Sequence, residues 1–191
     1  MTIQLFALAT LMTALSVAAP APVRAQEYAL DTTHAQVTFQ VSHLGLSWTS
    51  GRFKDVAGSF AIDPPNPSRT RFAVTAKADS VDTDNAKRDE HLRSPDFFDT
   101  RQFPALGFQS TAVRAVDGGY QVTGDLTLHG VTKPITLNLH GGKTAEFPKG
   151  VHRTGFSGEF KIKRSEFGMD KMLEAIGDDV HVTVSFEGTK K

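Results

Sequence analysis

Residues 87–99, KRDEHLRSPDFFD, bring basic groups, carboxylates, a histidine and two adjacent phenylalanines into one short stretch. Histidine is the residue type that most often transfers protons near neutral pH, so His91 is the candidate acid or base. If residues 84–93 form a helix, the side chains that share a face with His91 are Lys87, Arg88 and Ser94. None of these is a carboxylate, because the acidic residues of this helix point to other faces. The spacing therefore predicts neither an acid–base pair nor a metal site on this helix.

The rest of the sequence gives weak support for catalysis. The other six histidines are scattered without ligand spacing, and the chain has no cysteine and no Gly-x-Ser-x-Gly motif. The Gly118-Gly119 and Gly141-Gly142 pairs are typical of hairpin turns rather than of phosphate-binding loops. We therefore expect no metal, no cofactor and no catalytic residue. The alternative is a barrel enzyme that acts on a lipid or isoprenoid, with His91 and neighbouring carboxylates as acid and base.

The same stretch also has a purely structural interpretation. Asp84 can cap a helix, Asp89 can pair with Arg93 at i,i+4, and Pro95 ends the helix. In this interpretation the charges stabilise one short helix and carry no chemistry.

A second short helix is expected after the first, because Ser94-Pro95 resembles an N-cap followed by proline at the first helical position. It would carry Phe97 and Phe98, which cannot both face water without exposing a large apolar patch. We therefore predict that residues 84–99 form a lid over one end of the protein. If the lid phenylalanines were exposed, they would favour a homodimer.

The elements that must position this stretch are strands. Apolar and polar residues alternate with a period of two in five clear segments, at 37–41, 72–78, 120–128, 135–139 and 180–186. One face of each segment is apolar, as in antiparallel sheets that cover a shared interior. About eight such strands fit the chain, which favours an all-β, eight-stranded antiparallel barrel with one or two short helices closing one end. A two-sheet sandwich is the alternative architecture.

The N-terminus and the composition limit the class of protein. Residues 5–19 form an apolar run typical of a secretory signal peptide, with cleavage expected after Ala25. Residues 26–191 then form one domain, and we expect it in the periplasm. Cleavage leaves a net charge of about −1, which is typical of neither a nucleic-acid-binding protein nor a polybasic membrane-binding protein. We expect no stable insertion into a membrane.

Several motifs together resemble the YceI-like family of secreted bacterial proteins. The motifs follow one another along nearly all of the mature chain: HxxVxFxVxHLG at 34–45, GxFxxVxGxF at 51–60, SVDT at 80–83, RDxHLRSxDFF at 88–98, GDLTLxGVTKP at 124–134, FGM at 167–169 and IGDxV at 176–180. Modest departures from the family pattern are Pro95, Phe98 and Glu166. The resemblance implies a lipocalin-like barrel that binds a polyisoprenoid or a prenylated quinone in an apolar tunnel, for transport, storage or sequestration, with no established catalytic residues.

The free energy of burying isoprene units, compared with the cost of association, favours a long hydrocarbon as the ligand. One isoprene unit contributes about 4 kcal/mol of burial, at roughly 0.8 kcal/mol per CH₂-sized group, while association costs on the order of 4–15 kcal/mol. A ligand held mainly by apolar contacts therefore needs several units. The alternative is a solid core with no ligand, in a protein that acts through its surface.

The candidate ligand-binding residues fall on the inward-facing positions of the strands and on the lid. The predicted wall and lid residues are Phe39, Val41, Phe60, Phe72, Val74, Leu92, Phe97, Phe98, Phe108, Leu126, Leu137, Phe156, Val182 and Val184. Trp48 is expected at the mouth of the barrel, where its indole N–H can remain hydrogen-bonded to water. Arg88, His91 and Arg93 either tie the lid to the barrel rim or contact a polar head group.

Overall fold

The structure is a computed structural model that describes residues 24–191. Nearly all of the predicted signal peptide lies outside the described residues. The strands are β1 Gln26–Leu30, β2 Gln36–His43, β3 Ser47–Phe53, β4 Val56–Ile62, β5 Arg71–Lys77, β6 Val81–Asp82, β7 Ala105–Val116, β8 Gly119–Leu128, β9 Val131–Glu146, β10 His152–Lys163 and β11 Ile176–Lys190. Helix α1 spans Ala86–Arg93, and short 3-10 turns occupy Thr32–His34, Pro67–Arg69, Ala78–Ser80 and Arg164–Phe167.

Strand pairing closes the sheet into a barrel. Every pairing is antiparallel, and the order around the barrel is β1, β4, β5, β7, β8, β9, β10, β11 and back to β1. The N-terminal part of β11, which does not pair with β1, pairs with β2 instead. Strand β3 then pairs with β2, and β6 pairs with β3. The predicted eight-stranded antiparallel barrel is confirmed. The sandwich alternative is wrong, because the hydrogen-bonded ring has no open edge between two sheets.

The alternation of apolar and polar residues matches the two faces of the barrel wall. Each of the five strands predicted from this alternation is found, as β2, β5, β8, β9 and β11. On β8, for example, Tyr120, Val122, Leu126 and Leu128 are all buried. The interior of the barrel is therefore lined by the face that the period of two marks as apolar.

The Gly141-Gly142 pair is not a hairpin turn, which corrects the sequence prediction. Both glycines lie inside β9 with positive φ, 135° and 88°, and the pairing of β9 with β10 shifts register between Thr154 and Phe156. A Cβ at Gly141 would lie 2.3 Å from the Gly155 carbonyl oxygen. The pair is thus a β-bulge, where glycine permits both the backbone angles and the close approach of β10.

Aromatic side chains fill one end of the barrel, which we call the closed end. It is the end of the 117–118 and 147–151 hairpins, and its core contains the mutually packed rings of Tyr28, Phe60, Phe72, Tyr120, Phe156 and Phe186. Neighbouring ring centroids lie 5.0 Å to 6.4 Å apart, in stacked, tilted and edge-on arrangements. Such pairs add about 0.5–1.5 kcal/mol each beyond burial, so this end is a solid core.

The lid covers the opposite end, which we call the open end. The residue before helix α1 is Asn85, whose side chain accepts a hydrogen bond from the Arg88 N–H, so the N-cap is Asn85 and not Asp84. Asp84 instead has φ of 58° and precedes the cap. The second short helix is absent from residues 94–99, which form hydrogen-bonded turns closed by the Phe97 and Asp99 N–H groups donating to the Ser94 carbonyl.

Candidate functional site

A cavity of about 540 Å³ occupies the barrel interior between the aromatic core and the lid. Its floor includes Phe72 and Phe186, both buried, while His43, Lys87 and Met172 at the open end are solvent-exposed. The cavity therefore opens toward the lid. Its volume lies within the range of about 300–1,000 Å³ typical of small-molecule sites.

The cavity is long as well as apolar. On β11 the lining residues run from Ile176 to Phe186, a distance of roughly 30 Å at about 3.3 Å per residue. With a strand tilt of about 40°, this corresponds to roughly 25 Å along the barrel axis. The interior has the shape of a tunnel closed at one end.

Most of the predicted wall and lid residues line this cavity. The lining members of that set are Phe39, Val41, Phe72, Val74, Leu92, Phe97, Phe98, Phe108, Leu126, Leu137, Val182 and Val184, together with the rim residues Arg88 and His91. Whether each of them contacts a ligand stays a prediction. Their placement does follow the inward phase of the strands.

Phe60 and Phe156 lie outside the cavity wall, contrary to the sequence prediction. Their ring centroids are 5.8 Å apart in an edge-on contact within the aromatic core, and their exposed fractions are 2% and 3%. Both face inward, as the alternation predicts, but at the level where aromatic rings fill the barrel completely. The alternation of apolar and polar residues predicts whether a side chain faces the barrel interior. It does not predict how far along the barrel axis that side chain lies.

Trp48 lies at the open end, although outside the cavity lining. Its neighbour Thr49 lines the cavity, so Trp48 points away from the barrel interior, with 55% of its surface exposed. The indole packs edge-on against His181, with the ring centroids 5.1 Å apart.

Several lining residues were missed by sequence reasoning. Phe160 and Ile162 continue the alternation of β10 and could have been found by extending the period from Phe156. Arg164 and Met169 lie after the end of β10 and carry no periodic signal.

Buried hydrogen bonds attach the lid to the barrel. The Asp89 carboxylate, 7% exposed, accepts hydrogen bonds from the Thr83 N–H at 2.8 Å and from the Thr83 hydroxyl at 2.6 Å. Arg93 donates to the carbonyl oxygens of Asp79 and Val81. The predicted Asp89–Arg93 pair is therefore wrong: each side chain makes a separate attachment to the segment between β5 and α1.

The three basic residues of the lid have different roles. Arg93 lies outside the cavity lining and ties the lid to the barrel. Arg88 lines the cavity and also donates to the Thr83 hydroxyl and carbonyl oxygens, at 2.7 Å each. His91 lines the cavity and packs edge-on against Phe97, with ring centroids 4.9 Å apart. Arg88 and His91 therefore face the cavity, whereas Arg93 does not, and contact of either residue with a head group stays a prediction.

The lid phenylalanines face inward. Phe97 is 6% exposed, and Phe98 is half-buried with its ring 5.4 Å from that of Phe53. Both rings line the cavity, and neither is among the exposed large hydrophobic residues. The homodimer stays a prediction.

A carboxylate does lie beside His91, which corrects the expectation drawn from the helix. The His91 Nε2 atom lies 3.0 Å from the Asp96 Oδ2 atom, because the turn after Ser94 folds Asp96 back toward the helix. The hydrogen bond to His91, followed by the charge of Lys171, holds the pKa of Asp96 below its ordinary value. Nearly half of each side chain is exposed, and among the described residues no hydroxyl group is hydrogen-bonded to the His91 ring. The structure thus shows a partly exposed histidine–aspartate pair at the open end.

Arg164 fastens the segment after β10 to the open end. This side chain is 4% exposed, and its guanidinium donates to four carbonyl oxygens, those of Met169, Lys171, Ile176 and Gly177. Burial lowers the pKa of Arg164, partly offset by the charge of Asp178. Because it also lines the cavity, Arg164 brings a cation to the inner side of the mouth.

Metal-type ligands come together at one place in residues 24–191, at Asp31, His34 and Glu187. The Arg153 guanidinium already supplies the positive charge there, 2.6 Å from the Asp31 carboxylate and 3.7 Å from that of Glu187. The Asp31 carboxylate also accepts hydrogen bonds from the N–H and hydroxyl groups of Thr33. The group is an ion-pair network just before the start of β2, and none of its residues lines the cavity.

The charged groups of the cavity lining share one sign. They are Lys87, Arg88 and Arg164, and no aspartate or glutamate occurs among the lining residues of the described chain. Since all three lie at the open end, the tunnel has an apolar interior and a cationic mouth. None of the helices between residues 24 and 191 has the length and apolar character needed to cross a membrane.

A closed antiparallel barrel around a long apolar cavity defines the class of protein: a lipocalin-like binding fold. The model of the YceI-like domain family matches residues 28–188, and the chain therefore belongs to the YceI-like family.

Relatives and solved structures support this assignment. The chain is 42% identical over 158 residues to the UPF0312 protein plu2095 of Photorhabdus laumondii, covering 83% of this chain and 82% of the relative. It is 41% identical over 169 residues to protein YceI of Escherichia coli, covering 87% and 88%. The Campylobacter jejuni YCEI protein aligns with a TM-score of 0.70 and 33% identity, covering 78% of this chain and 90% of that one.

Two more distant structures share the fold. Burkholderia cenocepacia BcnA has a TM-score of 0.76 at 21% identity, covering 83% of this chain and 98% of that chain. A polyisoprenoid binding domain from Saccharophagus degradans has a TM-score of 0.68 at 18% identity, covering 86% and 98%.

Proposed function

We propose that this protein binds a long polyisoprenoid lipid, either a polyprenyl compound or a prenylated quinone, inside its barrel. The observation that carries the proposal is the apolar tunnel of about 540 Å³ that ends on the aromatic core and opens at the lid. The solid-core alternative does not account for this space. The prenyl tail would lie along β11, and the head group would lie at the mouth.

The length of the tunnel fits a multi-unit prenyl chain. Burial of each isoprene unit contributes about 4 kcal/mol, so several units are needed to exceed an association cost on the order of 4–15 kcal/mol. The Saccharophagus degradans domain of the same fold is a polyisoprenoid binding domain, which supports this class of ligand.

The mouth favours a head group that accepts hydrogen bonds. Arg88 and His91 line the cavity at the lid, and Lys87 and Arg164 add positive charge without a lining carboxylate to oppose it. A quinone carbonyl or a phosphate would suit these donors better than a cationic group. We propose that the protein acts in the periplasm as a carrier or store, because of the signal-like segment at residues 5–19.

The test is to purify the full chain from bacterial envelopes without detergent, extract it with organic solvent and analyse the extract by mass spectrometry. We expect one unmodified polyprenyl compound per protein molecule. The delipidated protein should bind a polyprenol or a prenylated quinone again. An empty extract together with no rebinding of either compound would overturn the proposal.

Two adjacent substitutions on β11 give a matched pair. Val182→Trp places an indole in the cavity, whereas Thr183→Trp places it on the outer face of the same strand. We expect Val182→Trp to reduce binding of the polyprenol at least tenfold and Thr183→Trp to leave it unchanged. Equal binding by both variants would mean that the ligand does not occupy the tunnel.

A further inference from the structure

Large apolar side chains are exposed around the open end. Six exposed large hydrophobic residues occur in the described part of the chain, and five of them lie at this end: Leu44, Leu46, Trp48, Met172 and Leu173. We call these five residues the rim patch. The sixth, Phe147, lies in the β9–β10 hairpin at the closed end. Exposed apolar groups gathered at one place are typical of an interaction surface.

The rim patch is built from two segments that are joined by hydrogen bonds. Leu44 and Leu46 lie in the β2–β3 turn, and the Leu44 N–H donates to the Ala175 carbonyl at 2.7 Å. Ala175 closes the turn that carries Met172 and Leu173, since its own N–H donates to the Met172 carbonyl. The apolar side chains are therefore held side by side on an ordered rim.

The rim patch is continuous with the interior of the tunnel. Met172 is 38% exposed and also lines the cavity. His43 and Ile176, which are paired across β2 and β11 just inside the two turns, line the cavity as well. An apolar surface thus runs from the outside of the rim into the mouth.

We propose that the rim patch seats the mouth of the barrel on the surface of a lipid bilayer, so that the prenyl chain passes between bilayer and tunnel. This inference rests on the proposed function, because a polyisoprenoid guest resides in bilayers when it is not bound. A direct passage avoids exposing several isoprene units to water, which would oppose transfer through solution. Trp48 has the amphipathic ring that is favoured at membrane interfaces.

The charges beside the rim patch indicate apolar rather than electrostatic binding. Lys171, the cation next to Met172, is paired with Asp96, with an N–O distance of 3.5 Å. Asp170 and Glu174 flank the same turn with negative charge. The cations of the mouth, Lys87, Arg88 and Arg164, line the cavity and are not part of the rim patch. We therefore expect the rim patch to bind zwitterionic phosphatidylcholine vesicles without a requirement for anionic lipid.

The experiment uses phosphatidylcholine vesicles and the fluorescence of Trp48, which is the single tryptophan of the chain. We expect the full mature protein to float with the vesicles and its emission to shift to the blue. Leu46→Glu and Leu173→Glu should each weaken vesicle binding about tenfold, since they place a charge in the buried contact. Phe147→Glu is the matched control, because its side chain is 75% exposed at the opposite end and its substitution should leave vesicle binding unchanged.

Two results would overturn the proposal. The first is a wild-type protein that does not float; in that case, sedimentation showing a dimer that Leu46→Glu abolishes would assign the patch to a second copy. The second is an equal loss of flotation in Phe147→Glu. Urea unfolding curves establish that each variant is folded.

A separate measurement distinguishes failure of this inference from failure of the proposed function. Polyprenol dispersed in detergent reaches the cavity without a bilayer, so the rim variants should bind it as the wild type does. Normal polyprenol binding without flotation of the wild type overturns only bilayer docking. Flotation without any polyprenol binding overturns the proposed ligand.

Discussion

At the scale of single residues, Asp89 has a structural role. Its buried carboxylate accepts two hydrogen bonds from Thr83 and holds the lid helix against the segment after β6. Asp89→Ala leaves both donors without this partner in a buried place, so we expect a loss of about 2–3 kcal/mol in the free energy of unfolding. Urea denaturation followed by circular dichroism measures this change.

The adjacent Glu90 provides the control for this prediction. Glu90 is exposed on the same helix, and Glu90→Ala should change the free energy of unfolding by no more than about 0.5 kcal/mol. Similar losses in the two variants would contradict the role assigned to Asp89.

The individual contacts of the lid could not be obtained from sequence spacing. Asp84 and Asn85 are both good caps, and the choice between them depends on the backbone angle at Asp84, which has φ of 58°. Asp96 reaches His91 because the chain reverses after Ser94, and helical spacing does not describe residues beyond the helix end. Which neighbour a polar side chain selects is decided by tertiary geometry.

At the scale of elements, the segment between β10 and β11 depends on one cation. Arg164 donates to two carbonyl oxygens of this segment, those of Met169 and Lys171, and to two at the start of β11, and Arg164→Met would leave all four without that donor. We expect a loss of about 3 kcal/mol in the free energy of unfolding and faster hydrogen exchange across residues 169–177. Arg164→Lys should be intermediate, because one ammonium group cannot reach four carbonyls arranged for a planar guanidinium.

Lys163 is the matched control for Arg164. It is about half exposed and pairs with Asp179 at 3.0 Å, so Lys163→Met should lower the free energy of unfolding far less than Arg164→Met does. Hydrogen exchange over residues 169–177 should stay as in the wild type. Unchanged exchange in Arg164→Met would show that the segment is held by other contacts.

The strands themselves were predictable, whereas their irregularities were not. Alternation locates β2, β5, β8, β9 and β11 because each strand buries one face. Gly141-Gly142 carries the same signal as a hairpin turn, and only the pairing with β10 shows that β9 continues through a bulge.

At the scale of the whole molecule, the one-sided strands favour a barrel but also allow a two-sheet sandwich, and only the pairing of β1 with β11 shows that the sheet closes. The strand pattern likewise does not predict the presence of a tunnel. Phe60 and Phe72 both face inward on paired strands, at positions opposite one another. Phe72 forms part of the cavity floor, and Phe60 lies in the solid core. The boundary between cavity and core depends on how rings from several strands pack at one level, which no single strand specifies.

The charges of the whole barrel predict how its stability varies with pH. Hydrogen bonds from the Thr33 hydroxyl, Arg153 and His34 hold the pKa of Asp31 well below its ordinary value. Burial acts to raise the pKa of Asp178, but hydrogen bonds from Ser165 and the nearby cations outweigh it and lower the pKa. A carboxyl group with a depressed pKa in the folded state stabilises the protein above its unfolded pKa, and this stability is lost as the pH falls. We therefore expect the free energy of unfolding to decrease below about pH 4.

Buried tyrosines predict a second decrease at high pH. Burial raises the pKa of Tyr28 and of Tyr120, which both lie in the aromatic core. A raised pKa means that the folded state favours the protonated phenol, so this contribution is present below about pH 10 and is lost as the pH rises further. Urea unfolding from pH 3 to pH 11 should show both decreases. Tyr28→Phe should reduce only the decrease at alkaline pH, and Asp31→Asn should reduce only the decrease at acid pH. The same pH profile in the wild type and both variants would contradict this assignment of the two decreases.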